Sequence, residues 1–180
     1  MDAPLPPIAA IVHAHEDAAD AVMLDFVNDL RARGRSVHGL LMARRPDGRR
    51  RGGRCLRDID TGDIFEIFQD LGEGSQACCL DISCLAAAAS TLRTAVQARP
   101  DLVVVNRFGR QEADGAGFAQ EFLTLMSEDI PVLTIVAEEF LGDWRQFTGG
   151  LGVELSADMN HLRAWETQAL NASRRAAHAG

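Results

Sequence analysis

Residues 101–118 read DLVVVNRFGRQEADGAGF. Four apolar residues, Leu102 to Val105, give way abruptly to Asn106, Arg107, Phe108, Gly109, Arg110, Gln111 and Glu112. Gly115 and Gly117 then introduce an apolar-periodic segment that starts at Phe118. A short apolar run that ends in a polar loop and feeds a helix is the pattern of a buried parallel strand. Ligands of open α/β sheets bind beyond the carboxyl ends of the strands, so this loop lies where a site is expected. Arg107 and Arg110 offer forked donors suited to oxyanions. Gly109 and Gly115 permit close backbone approach, Asn106 can donate or accept, and Glu112 can orient an arginine. The competing reading is a structural turn closed by an Arg107–Glu112 salt bridge.

The flanking sequence repeats the strand–helix pattern. Ile8–Val12 reads as a first, central strand, followed by a loop at His13–Asp17 and a helix over 18–33 that Gly34 stops. Ser36–Ala43 reads as a strand. Gly53–Ile59 and Asp63–Phe68 read as a β-hairpin, after a turn at Pro46-Asp47-Gly48. Gln76–Asp81 is expected to be extended. A helix is expected over Leu85–Ala98, with Ser83 as its N-cap. A helix over Phe118–Ser127, a strand over Ile130–Val136, a loop over Glu138–Gly152, a strand over Val153–Leu155 and a helix over Asp158–Leu170 complete the series. The order predicts one three-layer α/β domain over residues 1–170, with a mostly parallel sheet and a β-hairpin excursion. Residues 171–180 are expected to fray.

Composition narrows the function classes. The chain has 180 residues and a net charge of −8, which argues against nucleic-acid binding. All eighteen basic residues are arginine, so Schiff-base or phosphate-loop lysine chemistry is excluded. No apolar run approaches the roughly 20 residues of a membrane-spanning helix. Met1–Pro7 lacks the features of a signal peptide, so a cytoplasmic protein without membrane insertion is expected. Four cysteines in such a chain suggest reduced thiols.

The order of elements resembles the small thermophilic-type P-loop nucleoside triphosphatases. The Gly/Arg-rich hairpin at Arg44–Asp63 and the segment Val105–Glu112 stand where those enzymes carry a hairpin and an acidic strand end. The resemblance implies a P-loop-NTPase-like sheet without the hydrolytic residues. With His13 at the first glycine of the phosphate loop, Ala18 takes the second glycine, Ala19 the lysine and Asp20 the hydroxyl residue. Glu16, Asp17 and Asp20 then stand where phosphates would sit. Asn106 and Arg107 replace the acidic pair that would hold magnesium and orient water.

The segment Asn106 to Gly115 also resembles the Asn-(Arg/Lys)-Phe-Gly-x-x-Glu-Ala-x-Gly signature of an uncharacterised bacterial family encoded beside molybdenum-uptake and molybdopterin genes. That resemblance implies a role near molybdenum metabolism. The expected function is therefore non-hydrolytic: an accessory protein that binds a small anion such as molybdate, or a nucleotide, at Asn106, Arg107, Gly109, Arg110, Glu112 and Gly115. A divergent triphosphatase and a structural partner of molybdenum proteins are the alternatives, and a homo-oligomer stays open. Arg49, Arg50, Arg51 and Arg54 are candidates for a lid over the ligand. Cys79, His13 and His15 are weak metal candidates, because the C-C-x4-C spacing of Cys78, Cys79 and Cys84 does not suit zinc.

Overall fold

The structure is a computed structural model and describes residues 7–14, 16–44, 54–67 and 82–179. In chain order these residues form β1 (Ile8–His13), α1 (Glu16–Ala32), β2 (Val37–Arg44), β3 (Arg54–Asp58), β4 (Ile64–Phe65), α2 (Ile82–Ala98), β5 (Leu102–Val104), a one-turn α3 (Arg110–Ala113), α4 (Ala119–Ser127), β6 (Val132–Ala137), α5 (Leu141–Phe147), β7 (Val153–Leu155) and α6 (Met159–Ala179). The strands form one sheet in the order β4-β3-β2-β5-β6-β1-β7. From β2 to β7 all neighbours are parallel, whereas β3 and β4 pair antiparallel as the expected hairpin excursion. The fold is an α/β fold with a mostly parallel sheet.

Strict alternation divides the strand side chains between two helical layers. Ile8, Ala10, Val103, Val105, Val132 and Val136 face the layer of α2, α4 and α5. Ala9, Ile11, Leu102, Val104, Leu133 and Ile135 face α1 and α6. On α1 the buried Ala19, Met23, Phe26, Val27 and Leu30 recur at helical spacing. Gly34 ends that helix at φ +76°, with Arg35 N–H donating to Leu30 O at 3.0 Å. Arginine–carboxylate pairs join α1 to α6. Arg33 Nη2 donates to the buried Glu166 at 2.9 Å, and Arg163 Nη2 donates to Asp29 at 2.8 Å.

Several boundaries differ from the sequence reading. β1 lies between β6 and β7 near one edge, so the middle of the sheet belongs to β5 and β6. Strand order is set by long-range pairing, which a local apolar run does not encode. Ser83 is inside α2, which starts at Ile82. The stretch expected as a loop between β6 and β7 contains a 3-10 turn at Glu138–Phe140 and then α5. The backbone of α6 continues to Ala179, past the expected end at Leu170. Gln76–Asp81 lies outside the described residues.

Gly39 is required by a close approach. It sits at φ +116°, and a Cβ there would stand 2.0 Å from the carbonyl oxygen of Val104 on β5. Gly39→Ala is therefore expected to destabilise the fold by more than about 3 kcal/mol, by forcing apart the β2–β5 pair. Urea denaturation reads this as a fall in midpoint at unchanged slope. A loss below about 1 kcal/mol would contradict the close β2–β5 approach.

Candidate functional site

A one-residue irregularity at the end of β5 sets the geometry of the site. Val103 N–H donates to Pro131 O and Val105 N–H to Leu133 O, at 2.8 and 3.1 Å. A regular parallel ladder would next use the amide of Arg107. Instead Phe108 N–H reaches Ile135 O at 3.0 Å. The extra residue changes which layer receives each side chain. Phe108 takes the inward place and is fully buried, with ring centroids 5.3 Å from Trp144, 5.2 Å from Phe147 and 6.0 Å from Phe122. Burying such a ring contributes about 1.5–3 kcal/mol.

Arg107 is correspondingly turned toward α1. Its Nη2 donates to Asp20 Oδ1 at 3.0 Å, and the two side chains are 19% and 22% exposed. At that burial the pair is sheltered from solvent screening. Asp20 belongs to α1, 87 residues earlier in the chain. The sequence reading placed Asp20 at the hydroxyl position of a phosphate loop and gave it no partner. Opposite charges at the two positions that jointly hold magnesium in P-loop enzymes were the available signal for the pair.

Glu112 neither closes a salt bridge with Arg107 nor orients an arginine. It is 7% exposed, and its carboxylate accepts the N–H of Gly109 and the N–H of Phe118, both at 3.0 Å. Burial pushes its pKa above the ordinary glutamate value, while the Phe118 and Gly109 amides pull it back. Gly117 fits against this carboxylate at φ +56°, where a Cβ would lie 2.2 Å from Oε1. Gly115, at φ +77°, serves the turn after α3. Further amides of the segment also donate locally. Asp114 N–H donates to Arg110 O at 3.0 Å, Gly115 N–H to Glu112 O at 3.1 Å, and Ala116 N–H to Gln111 O at 2.7 Å. The loop expected to cradle an anion spends six amides, from Gly109 to Phe118, on its own shape.

The remaining candidates are distributed as follows. Arg110 is exposed, with its guanidinium carbon 5.1 Å from the centroid of the Phe140 ring. Asn106 is buried beside Arg107. His13 is buried at the end of β1, in register with Ala137 of β6. The connection after β1 leads to α1 on one face of the sheet, and that after β6 leads to α5 on the other. His15, Cys79, Arg49, Arg50 and Arg51 lie outside the described residues, and Arg54 is described only through its backbone, paired with Arg44. Among the described residues no three His, Cys, Asp or Glu side chains gather to hold a metal, and no helix is long and apolar enough to cross a membrane.

Glu112 generates a stability prediction with a definite sign. Glu112→Ala leaves one buried and one half-buried amide unmatched and is expected to cost about 2–4 kcal/mol. Because the folded pKa is raised, the native state holds the proton longer than the unfolded state. Its contribution is fully present below the ordinary glutamate value and is lost as pH rises through the folded pKa. Glu112→Gln should remove that downward slope from the urea midpoint measured against pH. An unchanged slope would show that Glu112 does not titrate in this environment.

The chain matches, over residues 8–165, the model of a family described as protein of unknown function, DUF2478. It is 36% identical over 159 residues to part of the molybdenum import ATP-binding protein ModC 2 of Bradyrhizobium diazoefficiens. The match covers 88% of this chain and 18% of that protein, so the chain spans about a fifth of the curated relative's length. The solution structure of a human cancer-related nucleoside triphosphatase superposes with a TM-score of 0.63 at 14% identity, covering 83% of this chain and 87% of the other. That likeness concerns the fold: a P-loop-NTPase-like α/β sheet. The family model spans nearly the whole chain, and this protein belongs to the DUF2478 family.

Proposed function

We propose that this protein is a non-hydrolytic accessory module of molybdenum import, working in the cytoplasm, which takes a small oxyanion, molybdate first, or a nucleotide at Arg107. The observation that carries the non-hydrolytic reading is the Asp20–Arg107 ion pair. In P-loop triphosphatases the corresponding region holds a magnesium ion between a hydroxyl residue and a strand-end acid, and the phosphates sit on the loop lysine and amides. Here the chain has no lysine, and an arginine faces an aspartate across that position. Acids at positions 16, 17 and 20 open α1, where a helix dipole would otherwise favour a phosphate. The link to molybdenum rests on the similarity to part of the import protein ModC 2.

An oxyanion at Arg107 competes with Asp20 for the guanidinium. A fork of five donors suits a tetrahedral oxyanion, and a neighbouring carboxylate lowers its affinity by direct repulsion. A second reading, a structural partner within a molybdenum transport assembly, is favoured by one specific observation: six amides between Gly109 and Phe118, those of Gly109, Ala113, Asp114, Gly115, Ala116 and Phe118, donate within the loop itself.

Calorimetric titration with molybdate, tungstate, sulfate, ATP and GTP, run beside a phosphate-release assay with magnesium, tests both readings. No nucleotide should be hydrolysed. An oxyanion should bind tighter than about 1 mM, and Asp20→Asn should bind it roughly tenfold tighter. Arg107→Ala should abolish binding. Phosphate release above background defeats the non-hydrolytic reading. Silence from both the natural chain and Asp20→Asn defeats the ligand reading and leaves the structural partner.

A further inference from the structure

A divalent cation does not fit the residues that replace the triphosphatase machinery. Arg107 has no lone pair to offer a metal, and its positive charge repels one. The carboxylate that would be a ligand, Asp20, is already engaged by Arg107 Nη2 at 3.0 Å. No alternative set of three metal-ligating side chains exists among the described residues. The same two positions are nevertheless bridged. Asp20 stands in α1 and Arg107 just beyond β5, and the bulge before Phe108 is what turns the arginine toward α1.

We infer that the Arg107 guanidinium is a built-in replacement for the divalent cation, tying the start of α1 to the end of β5 without any metal. The charge logic is complete within the chain. Arg107 answers the carboxylate of Asp20, and Asn106 rather than a second acid precedes Arg107 in the chain. Had Arg107 been an acid, two carboxylates would face each other and would need a cation or a shared proton to coexist. The inference deepens the non-hydrolytic reading and rests on it, but not on oxyanion binding.

Thermal melts of the full chain with and without millimolar manganese or magnesium test it. The natural chain should shift by less than about 1 °C on adding either metal or EDTA. Arg107→Asp should melt roughly 3–8 °C lower, and manganese should restore at least half of that loss. Asp20→Ala combined with Arg107→Asp removes one carboxylate and should lose the metal response. A cycle of Asp20→Ala, Arg107→Ala and the double variant should be non-additive, and it remains informative if Arg107→Asp does not fold. Additive losses, a metal shift in the natural chain, or a folded Arg107→Asp variant indifferent to metal would each overturn the inference. Phosphate release is measured separately on the natural chain, so failure of the non-hydrolytic reading is distinguishable from failure of this one.

Discussion

One surplus residue between two ladder hydrogen bonds governs the carboxyl edge of this sheet. Strand geometry allots alternate side chains to opposite layers, and between Val105 and Phe108 the allotment slips by one. The slip sends an aromatic ring into the layer of α2, α4 and α5, where it meets Phe122, Trp144 and Phe147. It also directs a guanidinium away from that apolar layer and toward α1. A regular register would instead aim Arg107 at the aromatic cluster, where an unpaired charge costs several kcal/mol. Packing on one face and the ion pair on the other are consequences of one backbone event.

Three charged side chains at the carboxyl edge meet partners within the chain. Asp20 answers Arg107, Phe140 carries Arg110, and Glu112 answers two amides. Similar economy holds α5 over β7. Trp144 lies on Gly152, where a Cβ would come within 2.9 Å of the indole. Arg145 meets Glu154 through two bonds of 2.7 and 2.9 Å. The turn between helix and strand uses Gly149 and Gly150 at positive φ. Asp58 plays the same part for the hairpin, accepting the amides of Asp60 and Thr61 and the hydroxyl of Thr91 on α2.

The periodic elements were legible in the sequence because their signal is local. Continuous apolar runs identified β5 and β6, helical spacing identified α1 and α4, and turn chemistry identified the hairpin. The elements that escaped have little or no period to read. α3 is a single turn, and α5 is two turns inside a stretch rich in glycine and acids. The site was half legible. The polar residues at the strand end were visible, but their partners were not, because the bulge has no composition signature and Asp20 lies 87 residues away. Glu112 was read as a side-chain orienter, whereas burial made it an acceptor for backbone amides.

The strand order carries a consequence for synthesis. β1 is made first, yet its two neighbours are β6 and β7: Ile8 aligns with Val132, and Ala9 with Val153. Until the ribosome has delivered those strands, the apolar run Ile8–Val12 has no ladder to join. The emerging domain therefore carries an unsatisfied strand until β6 is made, the kind of surface that chaperones recognise and that aggregates nucleate upon. No amino-terminal half-molecule closes this sheet by itself. Closure of the sheet waits for β6 and β7.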